Sequence, residues 1–277
     1  MSSKGPGLFS GIGQQSRDLL NKDFTSDQRI TINSCSGNIL DLNSTLVQKG
    51  RLSSGDLAAT FRCSYSTIDV KLDTESKVLT TVTLPDIVNS TKAIASIQLP
   101  DYSLSKLEVQ HLHDHVAFST AVGLNLSPAI DFSATIGTPS IAFGAEMSFL
   151  AATGKFAKYN AGVSLTKPNS NASVILADKG DSLRASYLQH LDHLNGGAVV
   201  GEISRRFSTN ENTLTVGCSY VINGQTFVKA KLNNHGNLTA LLKHEVIPKS
   251  FLTISGSFQT QALERSPKFG LALALKP

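Results

Sequence analysis

Residues 141–149 read Ile-Ala-Phe-Gly-Ala-Glu-Met-Ser-Phe, so that every second side chain is apolar and the ones between are small or polar. A period of two residues is typical of a β-strand, because successive side chains point to opposite faces of the sheet. The same rhythm recurs in 57–64, 68–73, 116–126 and 269–275, and it continues from about residue 29 to the end of the chain. The sequence therefore predicts an all-β protein.

Turn-forming residues bound these alternating runs, for example in 167–171 and 233–237. Gly, Asn, Asp and Pro favour turns, and the segments between them leave room for roughly 16 to 20 strands. The 9 prolines all lie outside the alternating runs. A strand proline would remove a ladder hydrogen bond, so we expect every proline to lie outside a strand.

One face of each predicted strand is nearly free of charge, and the charges lie on the other face. A charge at the middle of a bilayer would cost roughly 2–4 kcal/mol, which explains such a face if it contacts lipid. Backbone polar groups in a bilayer must be paired within the protein, so a sheet there has to close into a barrel. About nine tilted residues span roughly 23 Å, close to the apolar band of membrane barrels, and so many strands leave a water-filled lumen.

The N-terminal segment has a different, helical period. Its apolar residues recur along one face of a 3.6-residue repeat: Leu8, Phe9, Ile12, Leu19 and Leu20. We predict an amphipathic helix whose polar residues include Arg17, Asp18 and Lys22, preceded by a flexible hinge at Gly5 and Gly7. The chain thus divides into an N-terminal hinge and helix, 1–25, and a transmembrane barrel, 26–277.

The polar phase of the strands predicts which charges line the lumen. The positive side chains are Arg62, Lys71, Lys106, Lys158, Arg184, Lys229, Lys231 and Lys243. The negative side chains are Asp69, Asp73, Glu108, Asp131, Glu146 and Glu202. The small positive excess predicts a weak anion preference, because strong selectivity requires a narrow ring of one sign.

Several other classes of protein are disfavoured. The net charge of +4 is too small and too dispersed for a nucleic-acid-binding protein. No apolar run reaches the length of a membrane-spanning helix, and no secretory signal precedes the barrel, so we expect insertion into an organelle's outer membrane from the cytosol. The chain has neither a P-loop nor a nucleophile elbow, and we predict no enzymatic activity and no cofactor.

Two smaller groups of residues have simple interpretations. His111, His113 and His115 could suggest a metal site, but Asp114 favours a turn, and we interpret the group as a polar hairpin at the membrane rim. Cys63 and Cys218 fall on the apolar phase and are predicted to face lipid.

Three segments carry a resemblance to a known family. Residues 5–24, beginning Gly-Pro-Gly-Leu-Phe, resemble the N-terminal helix of plant mitochondrial porins. Residues 220–242, beginning Tyr-Val-Ile-Asn-Gly-Gln-Thr, resemble the signature of eukaryotic porins, the voltage-dependent anion channels. The ending Gly-Leu-Ala-Leu-Ala-Leu-Lys-Pro, residues 270–277, is also similar to plant porins.

The resemblance implies an odd number of strands with the first and last parallel, and the helix inside the lumen. With that family in view, 19 strands can be drawn: 29–35, 39–47, 56–64, 67–73, 77–84, 93–99, 104–111, 116–126, 130–136, 141–149, 158–166, 172–178, 183–189, 198–206, 213–220, 226–232, 237–243, 251–258 and 268–275.

The resemblance also implies a function. It implies passage of ATP, ADP, phosphate and small anions across the mitochondrial outer membrane, with voltage gating in which the helix charges take part. It further implies nucleotide contacts near the helix and docking by proteins such as hexokinase. Self-association and a location in the plastid outer envelope are alternatives that the sequence leaves open.

The chain departs from the family at Gln14, where the helix usually has Lys, and at Asn223 and Gly224, where the signature usually has Asp and a small residue. A divergent, poorly conducting isoform is therefore one alternative. A protein-translocating pore of the same superfamily and a soluble β-rich binding protein are two others.

Overall fold

The computed structural model describes residues 5–36, 39–50, 52–88, 90–191, 196–261 and 267–276. Within these ranges the chain forms 19 strands. They are β1 Gln28–Ser36, β2 Leu40–Lys49, β3 Leu52–Arg62, β4 Thr67–Asp73, β5 Val78–Val88, β6 Thr91–Leu99, β7 Lys106–Leu112, β8 Val116–Gly123, β9 Ala129–Gly137, β10 Ile141–Leu150, β11 Lys155–Lys167, β12 Ser170–Ala177, β13 Ser182–Leu191, β14 Gly197–Arg206, β15 Glu211–Asn223, β16 Thr226–Asn233, β17 Asn237–Ile247, β18 Ser250–Gln259 and β19 Lys268–Leu275.

The helical elements are short. A 3₁₀ turn, Phe9–Gly11, precedes the helix α1, Gln14–Asn21, and two further 3₁₀ turns lie at Tyr102–Leu104 and Asp178–Gly180. Within the described ranges, no helix is both long enough and apolar enough to cross a membrane.

The strands form one closed sheet. Each strand pairs antiparallel with the next, and β1 also pairs with β19 in a parallel register that runs from Gln28 opposite Leu271 to Ile32 opposite Leu275. An odd number of alternating strands leaves the first and last pointing the same way, which is why this seam is parallel. Closure removes the free edges of the sheet, and the predicted all-β, 19-stranded barrel is confirmed.

Some predicted strand boundaries are wrong. β3 begins at Leu52 rather than at residue 56, and β8 ends at Gly123 rather than at residue 126. Pro85 lies inside β5, contrary to the expectation that every proline lies outside a strand. The register shifts between Leu84 and Val88, so Pro85 lies in a bulge where no ladder hydrogen bond is lost.

The N-terminal segment is broken in the middle rather than continuous. The 3₁₀ turn ends at Gly11, and Gly13, with the left-handed φ of +68°, precedes α1. The predicted apolar face is nevertheless preserved across the break, because Phe9, Ile12, Leu19 and Leu20 are all buried.

Candidate functional site

The two faces of the barrel wall differ in chemistry. Cross-strand partners share a face, and one face runs from Leu57 to Leu72 and on to Val78. This face presents exposed large apolar side chains around the barrel. Among the described residues with a strand register, its charges lie at or next to strand ends, at Lys167 and Arg205. The opposite face carries the other strand charges and the N-terminal segment, so it is the lumenal face, and the apolar face is the one suited to lipid.

The cations predicted to line the lumen lie on the lumenal face, and five of them form ion pairs with carboxylates. The pairs are Arg62–Asp41 at 2.6 Å, Lys71–Asp56 at 3.0 Å, Lys106–Glu108 at 3.5 Å, Lys158–Glu146 at 2.6 Å and Arg184–Glu202 at 3.7 Å. These cations are about half exposed, so each pair contributes only about 0–1 kcal/mol to stability. Their larger effect is to neutralise much of the positive charge of the wall.

The predicted acids share this face, and Asp69 accepts a hydrogen bond of 2.5 Å from the Thr60 hydroxyl. Sequence reasoning missed further charges that the register also places on the lumenal face, among them the carboxylates Asp41 and Asp56 and the cations Arg29 and Lys92. The alternation of apolar and polar residues could have identified them, because Asp41, for example, lies between Leu40 and Leu42 and so falls on the polar phase.

Lys229 and Lys231 hold the C-terminal end of α1. The Lys231 ammonium donates to the Leu20 carbonyl at 2.7 Å, and the Lys229 ammonium lies 3.3 Å from the Lys22 carbonyl and 3.5 Å from that of Asp18. The last carbonyls of a helix lack partners within the helix and carry partial negative charge, which lysine satisfies. Lys229 is only 7% exposed, so it lies beneath the helix and not along the open lumen.

The wall under α1 is apolar on its lumenal face. Leu19 and Leu20 form a buried cluster with Leu188, Ala198 and Val200, the last of which is completely buried. Sequence reasoning expected polar residues on this phase. The available signal was the run of Ala198, Val199 and Val200, where the alternation fails because both faces of the strand are covered by apolar material.

Two glycines make room for the N-terminal segment. A Cβ at Gly217 would lie 2.7 Å from the Leu20 side chain, and a Cβ at Gly144 would lie 2.8 Å from the Phe9 ring. Both distances are shorter than van der Waals contact, so any larger residue would push the segment away from the wall.

The predicted helix charges face away from this apolar contact. Arg17 bridges the break at Gly13 by donating to the Ser10 carbonyl at 2.8 Å and the Ile12 carbonyl at 3.0 Å. Asp18, Lys22 and Gln14 are exposed on the lumen side of the helix.

Two of the cavities between the N-terminal segment and the wall have an excess of cations. A cavity of about 360 Å³ is lined by the cations Arg17, Lys158 and Arg184 and by the carboxylates Glu146 and Asp178. A second, of about 450 Å³, lies beyond the end of α1 and is lined by Lys22, Arg29 and Lys243, whose ammonium lies 4.8 Å from the centre of the Phe251 ring. Both cavities expose more cations than carboxylates and are suited to small anions.

The predicted hinge glycines precede the 3₁₀ turn. Gly7 has φ +72°, a conformation that favours glycine. Gly5 lies directly against the His113 carbonyl in the β7–β8 hairpin, so this end of the segment is also held by the wall. Residues 1–4 of the predicted segment lie outside the described residues.

The three histidines around the β7–β8 hairpin have different surroundings. His111 lies in β7 with its Nδ1 2.9 Å from the Thr91 hydroxyl, and His113 and His115 are exposed in the turn. Across the described part of the chain, no group of three His, Cys, Asp or Glu side chains could hold a metal ion. Cys218 lies on the apolar face with Val216 and is exposed, in the position predicted for it.

The model of the family described as eukaryotic porin matches residues 5–270. This match covers the N-terminal segment and nearly the whole barrel. The chain belongs to the eukaryotic porin family. As a porin it is a pore-forming membrane barrel and not an enzyme, and it contacts lipid on one face and small solutes on the other.

Relatives in plants match this porin from end to end. Mitochondrial outer membrane protein porin 2 of Arabidopsis thaliana is 54% identical over 99% of this chain and 100% of its own length. Mitochondrial outer membrane protein porin 5 of Oryza sativa subsp. japonica is 52% identical over the full length of both chains. The outer plastidial membrane protein porin of Pisum sativum is 42% identical over 99% of each chain.

Proposed function

We propose that this porin is a voltage-gated, weakly anion-selective diffusion pore for ATP, ADP, phosphate and small anions across the mitochondrial outer membrane. The observation that carries the proposal is a closed 19-stranded barrel whose lumenal face is charged and whose outer face is apolar. A barrel of this size encloses an aqueous channel wide enough for metabolites. Membership of the family favours this function over a protein-translocating pore.

The arrangement of the lumenal charges supports weak rather than strong selectivity. Cations and carboxylates alternate across neighbouring strands in ion pairs, for example Lys71 with Asp56, so the wall between the cavities is close to neutral. The cations around the two cavities beside the N-terminal segment, among them Arg17 and Lys243, supply the excess that prefers anions. The lining cations predicted from the sequence are proposed to take part in this selectivity.

Gating is proposed to involve the N-terminal segment. The helix charges Arg17, Asp18 and Lys22 lie in the lumen, where they would respond to a transmembrane potential. The segment is held by hydrogen bonds and by one small apolar cluster, so its release changes the width of the lumen without breaking any strand pairing.

Recording from single channels in planar bilayers tests conduction, selectivity and gating together. In asymmetric KCl we expect a reversal potential slightly displaced toward that of chloride, and conductance that falls at high voltage of either sign. A reversal potential of zero, or one displaced toward that of potassium, would contradict the anion preference. A barrel that inserts into the bilayer without conducting would show a non-conducting isoform.

The proposed location rests on the three plant relatives described above, two of which are named as mitochondrial outer membrane porins and one as an outer plastidial membrane porin. Fractionation of plant cells that produce a tagged full-length chain distinguishes the mitochondrial from the plastidial location. We expect the protein to be recovered with outer mitochondrial membranes. Recovery with plastid envelopes would contradict it.

Three further predictions remain. The resemblance implies docking by a hexokinase-like protein, and the change of period in the sequence suggests a functional division of the chain into 1–25 and 26–277. Self-association is the third, and the sequence leaves it open. Nucleotide contact near the helix has geometric support from the cavity lined by Arg17, Lys158 and Arg184.

A further inference from the structure

Two neighbouring connections at one rim of the barrel expose large apolar side chains. The β6–β7 connection contributes Tyr102 and Leu104, and the β8–β9 connection contributes Leu124 and Leu126. These four residues, which we name the apolar platform, are all exposed, and Leu126 is fully so. A contiguous apolar surface that points into water is unfavourable and usually marks a contact site.

Hydrogen bonds fix the shape of the platform. The Leu124 amide donates to the Ser105 carbonyl at 2.7 Å, and the Asn125 side chain donates to the Ser103 carbonyl at 3.2 Å. The Asp101 carboxylate accepts from the Ser103 amide at 2.9 Å. The hydrogen bonds therefore join the two connections into one surface, and its apolar side chains are exposed rather than packed against the barrel.

Other connections at the same rim have the opposite character. Because the strands alternate in direction, the connections that follow even-numbered strands all lie at one end of the barrel. The β4–β5 connection there carries a Glu75–Lys77 ion pair of 2.5 Å, and the β12–β13 connection carries Asp178 and Asp181. Such charged turns belong in water, so the four exposed apolar residues of the platform are not a general property of this rim.

The platform is continuous with the lipid-facing surface. Leu99 at the end of β6, Leu107 near the start of β7 and Ile130 near the start of β9 are exposed on the apolar face directly beside it. We propose that the apolar platform inserts into the bilayer at the boundary between headgroups and acyl chains, so that the lipid-contacting belt is taller at β6–β9 than at β12–β13. Membrane lipid is the occupant, because the platform extends a surface that already contacts lipid.

The side chains suit this depth. Interfacial apolar groups enter roughly 5–10 Å into the headgroup and acyl boundary. Tyr102 belongs there because its ring is apolar and its hydroxyl can reach water or a headgroup. The hydrogen bond from the Ser103 amide lowers the pKa of Asp101 below its ordinary value. An ionised carboxylate belongs in water, so in this proposal Asp101 lies at the water-facing limit of the platform.

The chain contains no tryptophan, so a single introduced tryptophan reports its own depth. Leu126→Trp and Leu104→Trp place the probe on the platform. Thr209→Trp is the matched control, because Thr209 is exposed in the β14–β15 connection at the same rim. The full-length variants are reconstituted in phosphatidylcholine vesicles with bromine on the acyl chains, and conductance in planar bilayers checks that each has assembled.

We expect the brominated lipid to quench Leu126→Trp at least about twofold more than Thr209→Trp, and aqueous acrylamide to show the reverse order. Equal quenching of the two variants would overturn the proposal, since the two connections would then lie at the same depth. Emission of Leu126→Trp that depends on the protein-to-lipid ratio would also overturn it, because a second copy of the chain would be the occupant. Leu104→Trp applies the same criterion if Leu126→Trp fails to assemble.

Discussion

Two parts of the lumenal face are built from the same alternating strands but differ in chemistry. We call the lumenal face of β13–β16 the covered wall and that of β2–β7 the bare wall. On the covered wall, α1 packs on Leu188, Ala198 and Val200, and Lys229 and Lys231 bind helix carbonyls. On the bare wall, Arg62 and Lys71 of the same phase pair with carboxylates on neighbouring strands. The position of one short segment thus determines whether a lumenal lysine acts on permeating ions or on the helix.

The largest expected effect is on the two helix-binding lysines. Replacing Lys229 and Lys231 together with Glu removes their bonds to backbone carbonyls and places carboxylates against the negative end of the helix. Each charge-assisted bond contributes about 1.5–3 kcal/mol, so we expect α1 to leave the covered wall. Trypsin cleavage after Arg17 in reconstituted barrels measures the release, and single-channel recording should show altered voltage gating.

The matched control reverses two lysines of the bare wall, Lys71 and Lys106, which do not contact α1. The same charge change there should leave cleavage after Arg17 as it is in the unsubstituted protein. If both double variants are cleaved at the same rate, the lysine–carbonyl bonds do not hold the helix.

A smaller effect is expected from the apolar contact alone. Leu20→Ala removes a side chain that is 3% exposed and packs against Gly217. The loss of packing should weaken attachment of the helix by about 2 kcal/mol, the low end for a buried leucine, because the cluster is small. Hydrogen exchange of the α1 amides measures it, and Leu57→Ala on the lipid face is the control that should leave those amides protected.

The covered wall is also where sequence reasoning reached its limit. The barrel could be predicted because one face of each strand contacts lipid and the other contacts water, which gives β3 and β10 a clear rhythm. The exact count of strands depended on the family resemblance, since turn residues alone allow neighbouring numbers. Under the helix the rhythm fails at Ala198 and Val200, because contact with α1 replaces contact with water.

The role of Lys229 and Lys231 could not be predicted for a related reason. Alternation assigns a side chain to the lumenal face but does not say whether the lumen at that depth holds water or protein. Residues 124–126 show the same limit at the rim: their apolar side chains suggested a longer β8, whereas the strand ends at Gly123 and they belong to a connection.

The comparison also predicts which cations control selectivity. Charges act on ions within about 10 Å at 0.1 M salt, so a lysine where the helix narrows the lumen influences more of the ion path than one on the bare wall. Lys243→Gln, beside the cavity at the end of α1, should therefore displace the reversal potential toward cation preference more than Lys71→Gln. Equal displacements in asymmetric KCl would show that ions do not pass preferentially by this cavity.

The smallest expected effect is on stability at the bare wall. Arg62 and Asp41 approach to 2.6 Å, but both are open to the lumen, and water screens their attraction. A double-mutant cycle of Arg62→Gln and Asp41→Asn, followed by chemical unfolding in detergent micelles, should give a coupling energy below about 1 kcal/mol. A coupling above about 2 kcal/mol would mean that this part of the lumen has a low dielectric constant, unlike an aqueous channel. Weak coupling between Arg62 and Asp41 would show that the charges of the bare wall mainly neutralise one another along the pore. Strong attachment of α1 by Lys229 and Lys231 would show that the charges of the covered wall hold the helix.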